Sequence, residues 1–259
     1  MYGRVAIITG SDRGIGFEVS RQLGKRGYQI ILGSPNEKKG QAAASKLIKS
    51  GVRAIFQKLD IVNEIDISTL KKFILDRFGR LDVLVNNAGV MIDAGRSKIE
   101  GLITRRIKNK PKKADFGEGQ SILEVPMDVV KATLDVNTFG TLRMCQVFVP
   151  LMIETGYGRV VNVSSSLGQL NGMTDVEKVP AYQISKAALN AVTLMVADNV
   201  RGKNIAVNSV CPGWTKTDIG GKDAPQSPKE AANTIVWLAT HPSNGPSGGF
   251  FKDKKQIGW

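Results

Sequence analysis

Arg4-Val5-Ala6-Ile7-Ile8-Thr9-Gly10-Ser11-Asp12-Arg13-Gly14-Ile15-Gly16 is the stretch from which the architecture of the 259-residue chain can be read. Residues 4–9 form a short, β-branched, almost wholly apolar run, the pattern of a strand covered on both faces in a parallel sheet. Three glycines follow at once, and then Phe17, Val19 and Leu23 fall at helical spacing. Strand, glycine turn and helix in that order make a nucleotide-binding βα unit. Glycine lets the backbone turn sharply and approach a pyrophosphate, and the helix N-terminus offers free amides and the positive end of its dipole. A tight turn that holds no ligand is the alternative for such a motif taken alone.

Outward from this unit, strands and helices alternate. Strands are expected at residues 28–32, 54–59, 81–85, 158–163 and 205–210, and helices at 38–49, 67–78, 127–154 and 228–239. Between the fifth and sixth strands, Pro180-Ala181-Tyr182-Gln183-Ile184-Ser185-Lys186 opens another helix. Alternation of this kind predicts a parallel α/β sheet, and a chain of this length can bury one full core. One domain is therefore expected over residues 1–259.

On that helix Tyr182 and Lys186 are four residues apart, so they stand on one face with the ammonium close to the phenol. A nearby positive charge favours the phenolate, which lets a tyrosine trade a proton near neutral pH. By itself the pair reads equally as a packed ring beside a solvated amine. Its company sharpens it: Asn86-Asn87-Ala88-Gly89 after the fourth strand, Asn137 in the long helix, Ser164-Ser165-Ser166 after the fifth strand, and Cys211-Pro212-Gly213-Trp214-Thr215-Lys216-Thr217 after the sixth.

Together these segments resemble the short-chain dehydrogenase/reductase family, over nearly the whole chain. Thr9, Gly10, Gly14 and Gly16 match its Thr-Gly-x-x-x-Gly-x-Gly signature, and Gly248-Gly249-Phe250-Phe251 is most similar to the carbonyl-reductase branch. The resemblance implies a Rossmann-type doubly wound parallel sheet with helices on both faces, and reversible hydride transfer between NADP(H) and an aldehyde, ketone or quinone. It implies that Tyr182 exchanges the proton, Lys186 lowers its pKa and holds the nicotinamide ribose, Ser165 orients the carbonyl with Ser164 as runner-up, and Asn137 kinks its helix and maintains a proton path. For the cofactor it implies Thr9, Gly10, Arg13, Gly14, Ile15 and Gly16 in the glycine loop, Lys39, Asp60 and Ile61 around the adenosine, Asn87, Ala88 and Gly89 at the ribose, Tyr182 and Lys186, and Pro212, Gly213, Thr215 and Thr217 at the carboxamide.

The residues that follow the second strand choose between the two nicotinamide cofactors. A carboxylate there would grip the ribose 2′-hydroxyl of NAD and repel the 2′-phosphate of NADP. Gly33-Ser34-Pro35-Asn36 contains no acid, and Arg13, Lys38 and Lys39 bring positive charge, so NADP is expected. Pro35 stands where the family commonly has an arginine, and Lys38 and Lys39 also read as a solvated helix start.

Composition narrows the remaining possibilities. Two cysteines, Cys145 and Cys211, and one histidine, His241, predict neither a disulfide framework nor a metal site. His241 reads as part of a surface turn and Cys211 as a small buried residue, while Trp214 reads equally as a pocket wall or as core. No apolar run of about eighteen residues is evident and the first strand begins almost at Met1, so no spanning helix or signal peptide is expected and a cytoplasmic location is.

The net charge is +13, and residues 96–113 carry eight basic residues against Glu100. This basic insertion, at about 92–118, departs from the family pattern. It reads as a solvated loop or as a short basic amphipathic helix that could touch an acidic partner or roof the active site. Seventeen positions separate Ser165 from Tyr182, and the excess, around residues 172–177, is expected to loop over the substrate pocket. A cofactor-sensing binding protein acting through the insertion is the alternative function. Nucleic-acid binding is disfavoured because the charge lacks interleaved aromatics, no stable membrane association is expected, and the family's usual dimer or tetramer makes a homo-oligomer an open expectation.

Overall fold

The computed structural model describes residues 3–94, 121–171, 173 and 179–259. Most of the basic insertion and of the 172–177 loop lies outside the described residues. Among the described residues eight strands form one sheet: β1 (Val5–Thr9), β2 (Gln29–Ser34), β3 (Ala54–Lys58), β4 (Val83–Asn86), β5 (Gly158–Val163), β6 (Ile205–Val210), β7 (Phe250–Lys252) and β8 (Lys255–Ile257). Their spatial order is β3-β2-β1-β4-β5-β6-β7-β8. Every pairing is parallel except the last, in which β8 returns antiparallel to β7.

Alternate residues of a strand face opposite sides, and both sides are covered. Val5 and Ile7 pack with Ile67 and Ile74 of α3 (Glu64–Phe78), Val129 of α4 (Met127–Leu134), Phe148 of α5 (Thr141–Thr155) and Ala181 of α6 (Pro180–Asn199). Ala6 and Ile8 face the other way, against Val19 and Leu23 of α1 (Gly14–Lys25), Leu47 of α2 (Glu37–Lys49) and Ile235 of α7 (Pro228–Ala239). This is the expected doubly wound α/β sheet. Burial of a Val or Ile contributes about 1.5–3 kcal/mol, against about 1 kcal/mol for a helix cap. The two-sided core, more than the caps, therefore holds the loops at the strand ends.

Several boundaries differ from the sequence-based expectation. β2 continues through Gly33 and Ser34, which pair with Gln57 and Lys58. Gly33 packs under Leu59 there: a Cβ on it would lie 2.6 Å from the end of the Leu59 side chain, which would have to shift. The expected helix over 127–154 is interrupted: between α4 and α5 the turns Asp135–Gly140 are π-helical. Such widened turns gather at functional sites, and this one lets Asn137 and Thr138 reach out of the helix.

One helix is longer and more apolar than the sequence reading allowed for, without being a clear membrane span. Met127–Thr155 qualifies by length and composition, but 61% of its apolar window is buried inside the protein, where it packs as a core helix. The β7–β8 hairpin was not legible, because its turn uses Asp253 and Lys254 at φ 49° and 61° where asparagine and glycine are the usual signal.

Candidate active site

A cleft of about 1130 Å³ opens at the C-terminal ends of the strands, above the point between β1 and β4 where the strand order reverses. Ligands of doubly wound sheets bind there, because the loops diverge to either side and leave a crevice. Its floor is the glycine loop. Gly10 and Gly14 have φ of 60° and 57°, and among the described residues no side-chain cap bond is made by Arg13 at the N-terminus of α1 that follows. The first-turn amides are thus left for an anion, as a dinucleotide pyrophosphate requires.

A second turn locks this loop in place. The Thr9 hydroxyl accepts from the amides of Asn87 and Ala88 at 3.0 and 2.9 Å, and the Asn87 side chain donates to the carbonyls of Thr9 and Gly10 at 2.9 and 3.0 Å. A Cβ on Gly10 would fall 2.9 Å from the Ala88 Cα. Gly10→Ala therefore combines a left-handed backbone with a clash against main chain. It is expected to weaken dinucleotide binding at least tenfold and to lower the melting temperature; wild-type affinity in a fluorescence titration would overturn the placement of this loop.

Most of the expected cofactor residues line the cleft: Gly10, Arg13, Gly14, Ile15, Asp60, Ile61, Asn87, Ala88, Gly89, Pro212, Gly213, Thr215 and Thr217. Thr9 and Gly16 stand behind the lining, Thr9 as the hydroxyl just described and Gly16 packed against the Asn87 side chain and the Gly10 carbonyl. Lys39 lies instead in an adjoining recess of about 360 Å³ with Asp12, Arg13, Phe17 and Lys46. Arg13 is already engaged, its guanidinium bonding Asp12 at 2.8 Å and Asp218 at 2.9 Å. The Asp218 contact, across the cleft from the loop after β6, had no signal in the sequence.

At the other end, Ser165, Tyr182 and Lys186 converge on the same cleft. The lysine Nζ lies 5.4 Å from the Tyr182 ring centroid and donates to the Val163 carbonyl at 2.8 Å. Burial pushes the Lys186 ammonium down to about 8, opposed by the nearby Cys211. Ser164 and Ser165 are separated by their partners. Ser164 is buried and donates to Asn190 Oδ1 at 2.7 Å. Ser165 is half-buried, and its hydroxyl oxygen accepts from the Leu167 amide at 3.2 Å, an arrangement that leaves the O–H able to donate.

Asn137 is wholly buried and does not line the cleft. Its Oδ1 accepts from the Val90 amide at 2.8 Å, while its Nδ2 donates to the Val90 carbonyl at 2.8 Å and to Ser185 Oγ at 2.9 Å. Thr138 adds a bond to the Ser185 carbonyl, so the π-helical turn is tied both to the segment that follows β4 and to the tyrosine-bearing helix.

The model for the family described as short chain dehydrogenase matches residues 4–228. The chain belongs to the short-chain dehydrogenase family. It is 32% identical to (+)-neomenthol dehydrogenase of Arabidopsis thaliana, over 98% of this chain and 97% of that one. It is 30% identical to carbonyl reductase 1 (NADPH) of Mus musculus, over 98% of each chain. The solved structure of salutaridine reductase from Papaver somniferum superposes with a TM-score of 0.76 at 29% identity, covering 97% of this chain and all of that one. In this short-chain dehydrogenase the beginning of the insertion supplies Asp93, which had no signal in the sequence. Its carboxylate bonds the amides of Ala181 and Tyr182 at 2.8 and 3.2 Å. The wall near the tyrosine is apolar: Met91 packs with Tyr182, with Leu167 and Ile219 against them. Trp214 lines the same cleft, 45% exposed, with its indole N–H on the Gly220 carbonyl at 2.7 Å.

Proposed function

We propose that the chain is an NADPH-dependent carbonyl reductase acting on an apolar aldehyde, ketone or quinone. The observation that carries this reading is the convergence of Ser165, Tyr182 and Lys186 on one end of the glycine-floored cleft. Bound NADPH would supply the hydride. The amides at the start of α1 would hold the pyrophosphate, the turn at Asn87-Ala88-Gly89 the ribose, and the segment from Pro212 to Thr217 the carboxamide. The Ser165 hydroxyl would donate to the substrate oxygen, fixing its position and stabilising negative charge as it develops. Tyr182 would then give its proton to that oxygen. Lys186 would favour the resulting phenolate by its charge, and Asn137 would keep the lysine's surroundings in register through Val90 and Ser185. Met91, Leu167, Trp214 and Ile219 offer a carbonyl compound a surface without charge, which supports an apolar substrate.

The preference for NADPH over NADH rests on the end of β2, where Ser34, Pro35 and Asn36 present no carboxylate, and on the recess shared by Arg13, Lys39 and Lys46. Arg13 has a side chain 42% exposed and can turn from Asp218 toward a 2′-phosphate. NADPH is expected to bind at least tenfold more tightly than NADH in a fluorescence titration, and to support reduction across a panel of apolar aldehydes, ketones and quinones. Equal or reversed affinities would overturn the cofactor assignment. Failure to oxidise NADPH with every member of the panel would overturn the activity.

A further inference from the structure

Helix α6 carries Tyr182 and Lys186 but begins without a cap of its own. Val179 occupies the N-cap position, Pro180 follows it, and the Val179 side chain makes no cap bond there among the described residues. The first amides of a buried helix need acceptors from elsewhere, and here they come from the segment that follows β4. Asp93, a few residues past the Asn86-Asn87-Ala88-Gly89 turn, sets its Oδ2 2.8 Å from the Ala181 nitrogen and 3.2 Å from that of Tyr182 itself. The carboxyl is 1% exposed, and burial raises it above the ordinary carboxylate range against the opposing pull of these amides. Its Oδ1 has no hydrogen-bond partner among the described residues.

The surroundings leave Tyr182 little room to move independently of this contact. Met91, Ala94, Val179 and Tyr182 form one buried apolar cluster around it. Val90, at the start of the same short segment, is bonded through both its amide and its carbonyl to Asn137. The stretch from Val90 to Asp93 therefore clasps the π-helical turn with one end and the tyrosine-bearing helix with the other.

We propose that Asp93 is a positioning residue for Tyr182: by capping α6 across the fold, it sets the depth at which the phenol enters the cleft relative to Ser165 and Lys186. The inference rests on the reading of Tyr182 as proton donor. A bond to the residue's own amide places its Cα, and misplacing a reacting group by about 1 Å can cost about 100-fold in rate. The bonds of Asp93 run to α6, and among the described residues none runs to the glycine loop between β1 and α1 that would bind the dinucleotide, so the effect should fall on turnover and spare cofactor affinity.

The test compares Asp93→Ala, Asp93→Asn and Asp93→Glu in the full chain, with NADPH and the panel compound that the wild type reduces fastest. Asp93→Ala is expected to lower kcat at least tenfold with KM little changed and NADPH affinity within about threefold. Asp93→Asn keeps an acceptor at the same reach and is expected to restore kcat to within about threefold of wild type. Asp93→Glu keeps the charge but moves the acceptor by one methylene, and is expected to remain impaired; this comparison with Asp93→Asn stands even if Asp93→Ala does not fold. Wild-type kcat in Asp93→Ala or Asp93→Glu, or an Asp93→Asn enzyme no better than either, would overturn the proposal. A Tyr182→Phe control separates the two levels: if it keeps turnover the proton-donor reading falls, and if it is inactive while the Asp93 variants are not, only the role of Asp93 falls.

Discussion

Replacing Tyr182 with phenylalanine is expected to lower carbonyl reduction by about 10³-fold while leaving NADPH affinity within about twofold. The substitution removes one oxygen and little else. The ring is 8% exposed and packed with Met91, Ala94 and Val179, contacts that phenylalanine can keep. Structural cost should therefore be small, and the change in rate should report the missing proton donor, for which losses of about 10²–10⁴ are usual. Single-turnover oxidation of NADPH with a carbonyl substrate, beside a fluorescence titration of NADPH alone, measures the two effects separately. A Tyr182→Phe protein that turns over at more than a tenth of the wild-type rate would remove the phenol from the chemistry.

Lys186→Met is expected to move activity and stability in opposite directions. Turnover should fall by about 10²-fold or more, because the cation that favours the phenolate is gone. Stability without cofactor should not fall with it. Burial lowers the ammonium from 10.5 to about 8 in the folded chain, which corresponds to a cost on the order of 3 kcal/mol for keeping the charge inside. The sign follows from proton binding. Between pH 8 and 10.5 the unfolded chain holds this proton and the folded chain does not, so wild-type stability rises with pH through that window, and the cost is full below it.

Methionine removes the cost along with the bond to the Val163 carbonyl, worth about 1 kcal/mol. The variant should melt at or above the wild-type temperature at pH 7, with the difference shrinking toward pH 10. A variant that melts lower at pH 7, by an amount independent of pH, would show that the amine is not held as a buried charge.

The parts of the site that were legible in the sequence are those whose geometry is local. A buried apolar run, three glycines and a helical repeat follow one another within residues 4–25, so their spacing alone predicts a strand, a glycine turn and a helix whose first amides are free. Tyr182 and Lys186 were legible for the same reason, since four residues on a helix bring two side chains to one face. The choice between Ser164 and Ser165 was not legible, since both line the cleft. Sequence spacing left Ser164 as a runner-up, and the difference between them is a bond from Ser164 to Asn190, 26 residues further on. Lys39 was placed from its position after the second strand, yet it lies in the recess beside the cleft.

Other features had no local signature at all. Asn137 could be read as a helix-breaking residue, but its burial and its clamp on Val90 depend on a contact 47 residues away. Asp93 meets its partners 88 and 89 residues along the chain, and Arg13 meets Asp218 from the opposite side of the cleft. Backbone propensity and hydrophobic period act between near neighbours, and they suffice for the alternation of strands and helices along most of the chain, the β7–β8 hairpin excepted. Which side chains stand within 3 Å of one another at the cleft is decided by how the sheet brings its strand ends together, and no spacing along the chain encodes that distance.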